Sequence, residues 1–232
     1  MQIFSLATLA LGLLATTASA QSKVKVMLLG DSITESTCWR GKVWSQLASA
    51  GLTSSVEFVG TQTGVPFGCG TMPSGFDRRH EGHSGFQAYD IARNNIAGWV
   101  GTTKPDVLQF MLGTNDVNIG KRSAQSILDS YTAILNAARA ANPKVNVIVD
   151  KIIPTRWSDA TIEAVNAAIP SWASQHSTAA SPITVADCSR AAGYTNAMLV
   201  GDGVHPNGQG DIFIANQIGP KLIAAIKAVR GG

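Results

Sequence analysis

Three residues far apart in the chain have the side-chain types of nucleophilic catalysis. Ser32 follows an apolar run closely, whereas Asp202 and His205 lie three residues apart near the C-terminus. An imidazole can take the proton of a serine hydroxyl, and a carboxylate on the other ring nitrogen fixes the tautomer and stabilises the imidazolium. The spacing of Asp202 and His205 puts both side chains on one side of a turn. We therefore predict Ser32 as nucleophile, His205 as base and Asp202 as its orienting acid.

Each of these pieces also has an ordinary structural explanation. Asp31 and Ser32 are favoured helix N-caps, so this pair after a strand predicts a helix start as readily as a catalytic turn. Gly30 lets the chain turn sharply at the strand exit. A lone histidine before a proline, as at His205, is commonest in a surface loop. Only the joint occurrence of the pieces favours catalysis.

Two intermediate stretches contain groups that could stabilise negative charge. The Asn115 amide can donate to an oxyanion from a fixed position, although an Asx-turn explains the same residue. Glycines at 82 and 85 can bring a bare backbone N–H close to a substrate, although a plain glycine-rich turn also fits. We expect Asp116 to brace its loop rather than to react.

His80 and His83 are the other candidates for chemistry. Glu81 lies between them, but no cysteine or further carboxylate stands at metal-ligand spacing. We expect both histidines to be loop residues, and we predict neither a metal nor an organic cofactor.

The elements that must position these residues alternate between strand and helix. We predict strands at 24–29, 55–59, 106–112, 145–153 and 183–186 and helices at 39–50, 89–100, 123–141, 160–175 (bent or interrupted near Pro170) and 208–229. Strands separated by helices predict a parallel sheet with helices on both faces, which binds ligands at the carboxyl ends of its strands. Ser32, residues 113–116 and the loop after the fifth strand lie at that edge. The long loop 61–84 is expected to be functional.

The N-terminus and the composition predict a secreted globular protein. Residues 1–20 have an apolar stretch followed by small residues, as in a secretory signal, so the mature chain would be a single domain over 21–232. A membrane anchor is the alternative, but this stretch is too short and no other segment reaches the length. Net charge is +3 with scattered basic residues, which gives no nucleic-acid footprint. We expect a monomer.

Three cysteines fit one disulfide and one free thiol in an oxidising compartment. Cys38 and Cys69 lie in loops over the same end of the sheet, so we favour that pair, although sequence alone leaves the pairing open. Cys188 ends a predicted buried strand and can stay a buried thiol.

Taken together, these motifs resemble the SGNH (GDSL-type) hydrolases, named for the Ser, Gly, Asn and His of four sequence blocks. Ser32, Gly85, Asn115 and His205 match the blocks, and the resemblance covers 24–229. Ile33 stands where the GDSL name has leucine. Three blocks have the sequences GDSITE at 30–35, RHEGHSG at 79–85 and GTND at 113–116. These sequences are most similar to those of carbohydrate esterase family 3, whose members are mainly acetyl xylan esterases.

The resemblance implies a flavodoxin-like, three-layer α/β/α sandwich with a five-stranded parallel sheet in the order 2-1-3-4-5. It implies the same catalytic roles for Ser32, His205 and Asp202. It further implies an oxyanion hole formed by the backbone N–H groups of Ser32 and Gly85 and the side chain of Asn115. The Gly-x-Ser-x-Gly elbow of the α/β-hydrolases is absent around Ser32.

Together with these observations, the resemblance implies a secreted serine esterase that removes O-acetyl groups from plant cell-wall polysaccharide through an acetyl-serine. Its partner would be an acetylated polysaccharide or oligosaccharide. An SGNH esterase or lipase of other specificity, acting on pectin acetyl groups, lipid or small esters, is the nearer alternative. A non-catalytic carbohydrate-binding protein on the same scaffold is the remoter one. Trp39, Trp157 and Phe67 are candidates for packing against a sugar face, or simply for the core.

Overall fold

The computed structural model of the chain describes residues 22–66, 68–157 and 159–231. The expected signal sequence and Phe67 lie outside these residues.

Six parallel strands form one sheet in the described part of the chain. They are β1 (Val24–Gly30), β2 (Val56–Val59), β3 (Glu81–Gly82), β4 (Val107–Met111), β5 (Asn146–Asp150) and β6 (Ile183–Ala186). The order is β2-β1-β4-β5-β6, and β3 pairs with the end of β1. The predicted α/β fold class is therefore confirmed. The expected order 2-1-3-4-5 has the same arrangement, with one strand added that the sequence did not reveal.

The additional strand, β3, corrects the prediction that loop 61–84 lacks regular structure. Glu81 and Gly82 pair with Leu29 and Gly30 at the carboxyl end of β1. A side chain at Gly82 would meet the backbone of Glu35 at 2.6 Å, so only glycine allows this close approach. Two residues are too short to show strand periodicity, but their pairing brings the following loop to the end of β1.

Eight helices cover the sheet in the described residues. They are α1 (Ser32–Ser36), α2 (Trp39–Ser49), α3 (Ala88–Asn94), α4 (Ile96–Thr103), α5 (Thr114–Asn118), α6 (Ala124–Ala141), α7 (Asp159–His176) and α8 (Gly208–Gly231). One apolar cluster joins α3, α4, α6 and α7 to one face of the sheet, and a second joins α2 and α8 to the other. This is the three-layer arrangement, and coverage of both faces explains the continuous apolar run of β1.

Three details of the helices differ from the sequence prediction. The predicted helix 89–100 is two helices, α3 and α4, which meet at Asn95. Helix α7 continues through Pro170 without interruption. The short helix α1 begins at Ser32, where the sequence allowed a helix start, whereas α5 was not predicted, because five residues give too little periodicity to recognise.

Helix α8 is long and apolar enough to cross a membrane by length and composition alone. The expectation that no segment beyond the N-terminus reaches that length is therefore wrong. In the fold, one side of α8 is buried, with Ile214, Ile218 and Leu222 in the core shared with α2 and the sheet.

Candidate active site

The turn between β1 and α1 presents Ser32 at the carboxyl edge of the sheet. A Cβ on Gly30 would collide with the Thr34 side chain, which explains the glycine at the strand exit. Asp31 caps α1, since its Oδ1 accepts from the Ile33 N–H at 2.9 Å. Ser32 is thus the first residue of the helix, where a backbone N–H has no intrahelical partner and can face an incoming oxyanion.

The three predicted triad residues meet at this turn. Ser32 Oγ lies 2.7 Å from His205 Nε2, and His205 Nδ1 lies 2.7 Å from Asp202 Oδ2. The carboxylate keeps a proton on Nδ1, so Nε2 is free to accept the serine proton. The side chains of His205 and Asp202 remain 32% and 48% exposed.

Asp202 is held by its own loop. Its Oδ1 accepts from the N–H of Val204 at 2.8 Å and of His205 at 3.0 Å. Burial alone would raise the pKa of Asp202, but these hydrogen bonds and the one to the His205 ring outweigh it and hold the pKa below its ordinary value. Asp202 therefore stays ionised beside the imidazole.

Asp211 joins the base-bearing segment to the nucleophile-bearing segment. It lies in the first turn of α8, six residues after His205, and its Oδ1 accepts from the Cys38 N–H at 2.9 Å, at the start of α2. Burial raises the pKa of Asp211 to about 6, although the hydrogen bonds that its carboxylate accepts act to lower the pKa. Sequence analysis did not identify this residue, because an acidic residue in a first helical turn is common for helix-dipole reasons alone.

The two further oxyanion candidates also lie at this edge. Gly85 has φ +82° in a tight turn in which the Phe86 N–H donates to the His83 carbonyl at 3.1 Å, and space beside its Cα is open. Asn115, in the first turn of α5, donates one amide hydrogen to the Phe86 carbonyl at 3.0 Å. The second hydrogen of the same amide remains available for a substrate oxygen.

These residues line one open cleft of about 850 Å³. Ser32, Gly85, Asn115 and His205 line it, together with Cys38 and Cys69, which form a disulfide. This is the cysteine pair favoured from the sequence. Cys188 is a buried free thiol.

A buried carboxylate and a histidine support the Gly85 turn. Glu81 is fully buried and accepts from the Thr61 N–H at 2.8 Å and the Thr61 hydroxyl at 2.6 Å. Its Oε1 also lies 2.6 Å from Nε2 of His83, whose ring stacks on Trp99 at 4.5 Å. His83 is a loop residue, as expected, and its ring braces the Gly85 turn through Glu81 and Trp99.

His80 is likewise buried, with its Nδ1 accepting from the Gly82 N–H at 3.0 Å. Burial, with the nearby charges of Arg40 and His83, lowers the pKa of His80 to about 3, so the ring is neutral. Across residues 22–66, 68–157 and 159–231, no group of three or more His, Cys, Asp or Glu side chains is placed to hold a metal ion.

Arg40 ties the nucleophile turn to the long loop and was missed by the sequence analysis. Its buried guanidinium donates to the carbonyls of Thr34 at 2.7 Å, Glu35 at 3.2 Å and Gly64 at 3.1 Å. Burial lowers the pKa of Arg40 to about 10, which leaves it charged at neutral pH. An arginine is normally exposed, so nothing in the sequence marks this one.

Asp116 braces its loop, as the sequence suggested. Its carboxylate accepts from the N–H of Ala88 at 2.7 Å and of Tyr89 at 3.0 Å, and so caps α3. Burial raises the pKa of Asp116, and the hydrogen bonds from these two N–H groups oppose the rise.

The two tryptophans proposed for sugar contact differ in environment. Trp39 is buried, and its Nε1 donates to the Ile33 carbonyl at 2.9 Å, so it is a core residue. Trp157 is 68% exposed, and its Nε1 donates to the Asp202 carbonyl at 3.2 Å.

Comparison with known proteins identifies the same family as the motifs. A family model described as the GDSL-like Lipase/Acylhydrolase family matches residues 28–211. The structure of an acetyl esterase variant with an acetate ion is 70% identical in sequence, with a TM-score of 0.87, over 89% of this chain and 99% of that one. No match was found among curated proteins.

Two carbohydrate esterases of family 3 are also similar. The one from Talaromyces cellulolyticus is 71% identical with a TM-score of 0.87, over 88% of this chain and 99% of that one. The one from Clostridium thermocellum is 28% identical with a TM-score of 0.73, over 90% of this chain and 99% of that one. The chain therefore belongs to the GDSL-like lipase/acylhydrolase family and, within it, to carbohydrate esterase family 3.

Proposed function

We propose that this protein is a secreted serine esterase that removes O-acetyl groups from plant cell-wall polysaccharide, as acetyl xylan esterases do. The observation that carries the proposal is the 2.7 Å approach of Ser32 Oγ to His205 Nε2, with Asp202 on the other ring nitrogen. The high identity to an acetyl esterase and to a family 3 carbohydrate esterase supports the acetyl group and the carbohydrate.

In the first half of the reaction, His205 Nε2 takes the proton of Ser32 as Oγ attacks the ester carbonyl carbon. The carbonyl oxygen becomes an oxyanion that accepts from the N–H groups of Ser32 and Gly85 and from the Asn115 amide. The protonated His205 then donates to the sugar oxygen as the ester bond breaks. The sugar leaves as an alcohol, and the acetyl group remains on Ser32.

In the second half, a water molecule loses a proton to His205 and attacks the acetyl carbon of the acetyl-serine. The same three donors stabilise the second oxyanion. Proton return from His205 to Ser32 Oγ releases acetic acid and restores the enzyme. All proton transfers use groups of this chain, and Asp202 stabilises the imidazolium in both halves.

The walls of the cleft favour a short acyl group on a polar alcohol. Near Ser32 they are made of small and polar side chains, among them Ser36, Ser84 and Thr37. A lipase that binds long acyl chains would present a broad apolar surface here. The small polar lining supports an acetyl ester of a sugar over a lipid ester.

Secretion is supported by two independent observations. The Cys38–Cys69 disulfide is consistent with an oxidising, extracellular compartment. Residues 1–20 have the composition of a secretory signal.

The test is acetate release from acetylated xylan, with acetylated pectin and a chain-length series of 4-nitrophenyl esters measured alongside. We expect the highest kcat/KM on acetylated xylan or its oligosaccharides and a steep fall beyond short acyl chains. We expect Ser32→Ala to lose about 10⁵-fold in kcat while remaining folded. A long-chain optimum, or normal turnover by folded Ser32→Ala, would contradict the proposal.

A further inference from the structure

Trp157 has the most exposed large apolar side chain in the described part of the chain, with 68% of its surface accessible. An indole carries a large apolar face, and exposing it to water is unfavourable unless a ligand covers it. It lies just after the buried segment that follows β5.

The exposed indole is fixed rather than free. Its Nε1–H donates to the Asp202 carbonyl at 3.2 Å, and the neighbouring Arg156 N–H donates to the Gly203 carbonyl at 2.8 Å. Gly203 has φ +74°, and a Cβ there would lie 2.8 Å from Arg156 Cβ and 3.2 Å from Trp157 Nε1. The indole therefore contacts the loop that contains Asp202 and His205.

The direction of the proposed reaction places the sugar on this side of the site. His205 must donate to the departing sugar oxygen, so the sugar lies next to His205 while the acetyl group lies toward Gly85 and Asn115. Val200 and Pro206 line the cleft beside His205. Trp157 is bonded to the Asp202 carbonyl, three residues before His205, so a saccharide chain that extended past His205 over this loop would approach the indole.

We propose that Trp157 is a stacking platform for a sugar ring adjacent to the one that is deacetylated, and that it gives the enzyme its preference for oligomeric over small esters. This inference rests on the proposed function. One face of a pyranose ring presents C–H groups, which pack on an aromatic face, while the ring hydroxyls reach polar neighbours. The surroundings of Trp157 are polar, with Arg156 and Asp202 beside it, which suits a sugar and not an acyl chain.

The experiment compares Trp157→Ala and Trp157→Phe with the wild type on acetylated xylooligosaccharides and on 4-nitrophenyl acetate. We expect Trp157→Ala to lose about fivefold in kcat/KM on the oligosaccharides, mostly through KM, and to stay within about twofold on 4-nitrophenyl acetate. Trp157→Phe keeps an aromatic face without the N–H and should recover most of the loss. Ile119→Ala is the matched control, since its side chain is 62% exposed, and its kcat/KM should be unchanged on both substrates.

Equal losses on both substrates would assign Trp157 to positioning of Asp202 and overturn the platform. If Trp157→Ala left kcat/KM unchanged on both substrates, the platform proposal would be overturned as well. It would also be overturned if Ile119→Ala lost as much kcat/KM on the oligosaccharides as Trp157→Ala. A wild type that cleaves 4-nitrophenyl acetate but releases no acetate from the oligosaccharides would instead overturn the proposed function, and the platform with it.

Discussion

The two sides of the active site are built differently. On the oxyanion side, the groups that support the Ser32 turn, Gly85 and Asn115 are buried: Arg40, Glu81 and Asp116 are each 0% exposed. On the base side, the side chains of His205 and Asp202 are 32% and 48% exposed. Oxyanion donors stabilise charge best when they are fixed before the reaction and shielded from water. In the proposed reaction, the base exchanges protons with the leaving sugar and with water, so it has to remain accessible.

This difference predicts that substitutions on the base side change activity alone, whereas those that support the oxyanion side change activity and stability together. The following predictions test the difference from the largest expected effect to the smallest.

Asp202→Asn should lower kcat by about 10³-fold, because the imidazolium loses its carboxylate and the tautomer of His205 is no longer fixed. Thermal unfolding should shift by less than about 2 °C, since Asp202 is nearly half exposed. Steady-state kinetics and calorimetry measure both. A large loss of stability would contradict the proposed accessibility of the base side.

Asn115→Ala should lower kcat by about 10²-fold with little change in KM, because the amide donates more strongly to the oxyanion than to the substrate carbonyl. The variant also loses the hydrogen bond to the Phe86 carbonyl, so we expect about 1 kcal/mol less unfolding free energy. Kinetics with 4-nitrophenyl acetate and urea unfolding are the measurements. An effect confined to KM would argue against an oxyanion role.

Arg40→Met should cost about 3 kcal/mol of unfolding free energy, since it removes a buried charged donor from the carbonyls of Thr34, Glu35 and Gly64. We expect kcat to fall about tenfold at a temperature where the variant is folded, because the Ser32 turn and the long loop at Gly64 are no longer tied together. Arg79→Met, at a side chain 42% exposed, is a matched control with little expected effect. A stable, fully active Arg40→Met would remove the contrast between the two sides.

Asp31→Asn probes a buried carboxyl next to the nucleophile. Burial raises the pKa of Asp31 to about 7 from 3.8, partly opposed by the Ile33 N–H and by the charge of His205. Between these values the unfolded chain is ionised while the folded chain still holds the proton, so the wild type loses stability as pH rises from about 4 to about 7. The variant lacks this loss, so its stability relative to wild type should increase by up to about 4 kcal/mol across the window. Urea unfolding at several pH values measures it, and a constant difference would show that Asp31 titrates normally.

The sequence predicted the layout of the fold because its strands are apolar runs with recognisable helices between them. It missed what is short or depends on long-range pairing. Strand β3 has two residues, and only its pairing with Leu29 and Gly30 makes it a strand. Asn95 divides one predicted helix into two, although the apolar pattern on both sides of it is helical.

The same limit applies to the site. Ser32, Asn115, Asp202 and His205 carry reactive or polar groups at strand exits or in a spaced pair, so pattern and resemblance find them. Arg40, Glu81 and Asp211 each bond a backbone group 20 or more residues away, at Gly64, Thr61 and Cys38, and their residue types are ordinary on a surface. Trp157 could be named as a candidate, but its exposure and its bond to the Asp202 carbonyl could not be predicted.

By itself, the sequence determined which groups are available for chemistry and at which strand ends they stand, because strand periodicity and turn chemistry are local properties. Only the tertiary structure decided that Ser32 Oγ meets His205 Nε2 at 2.7 Å across 173 positions of chain. It also decided which polar groups are buried around them, since burial depends on how the layers pack and not on any one segment.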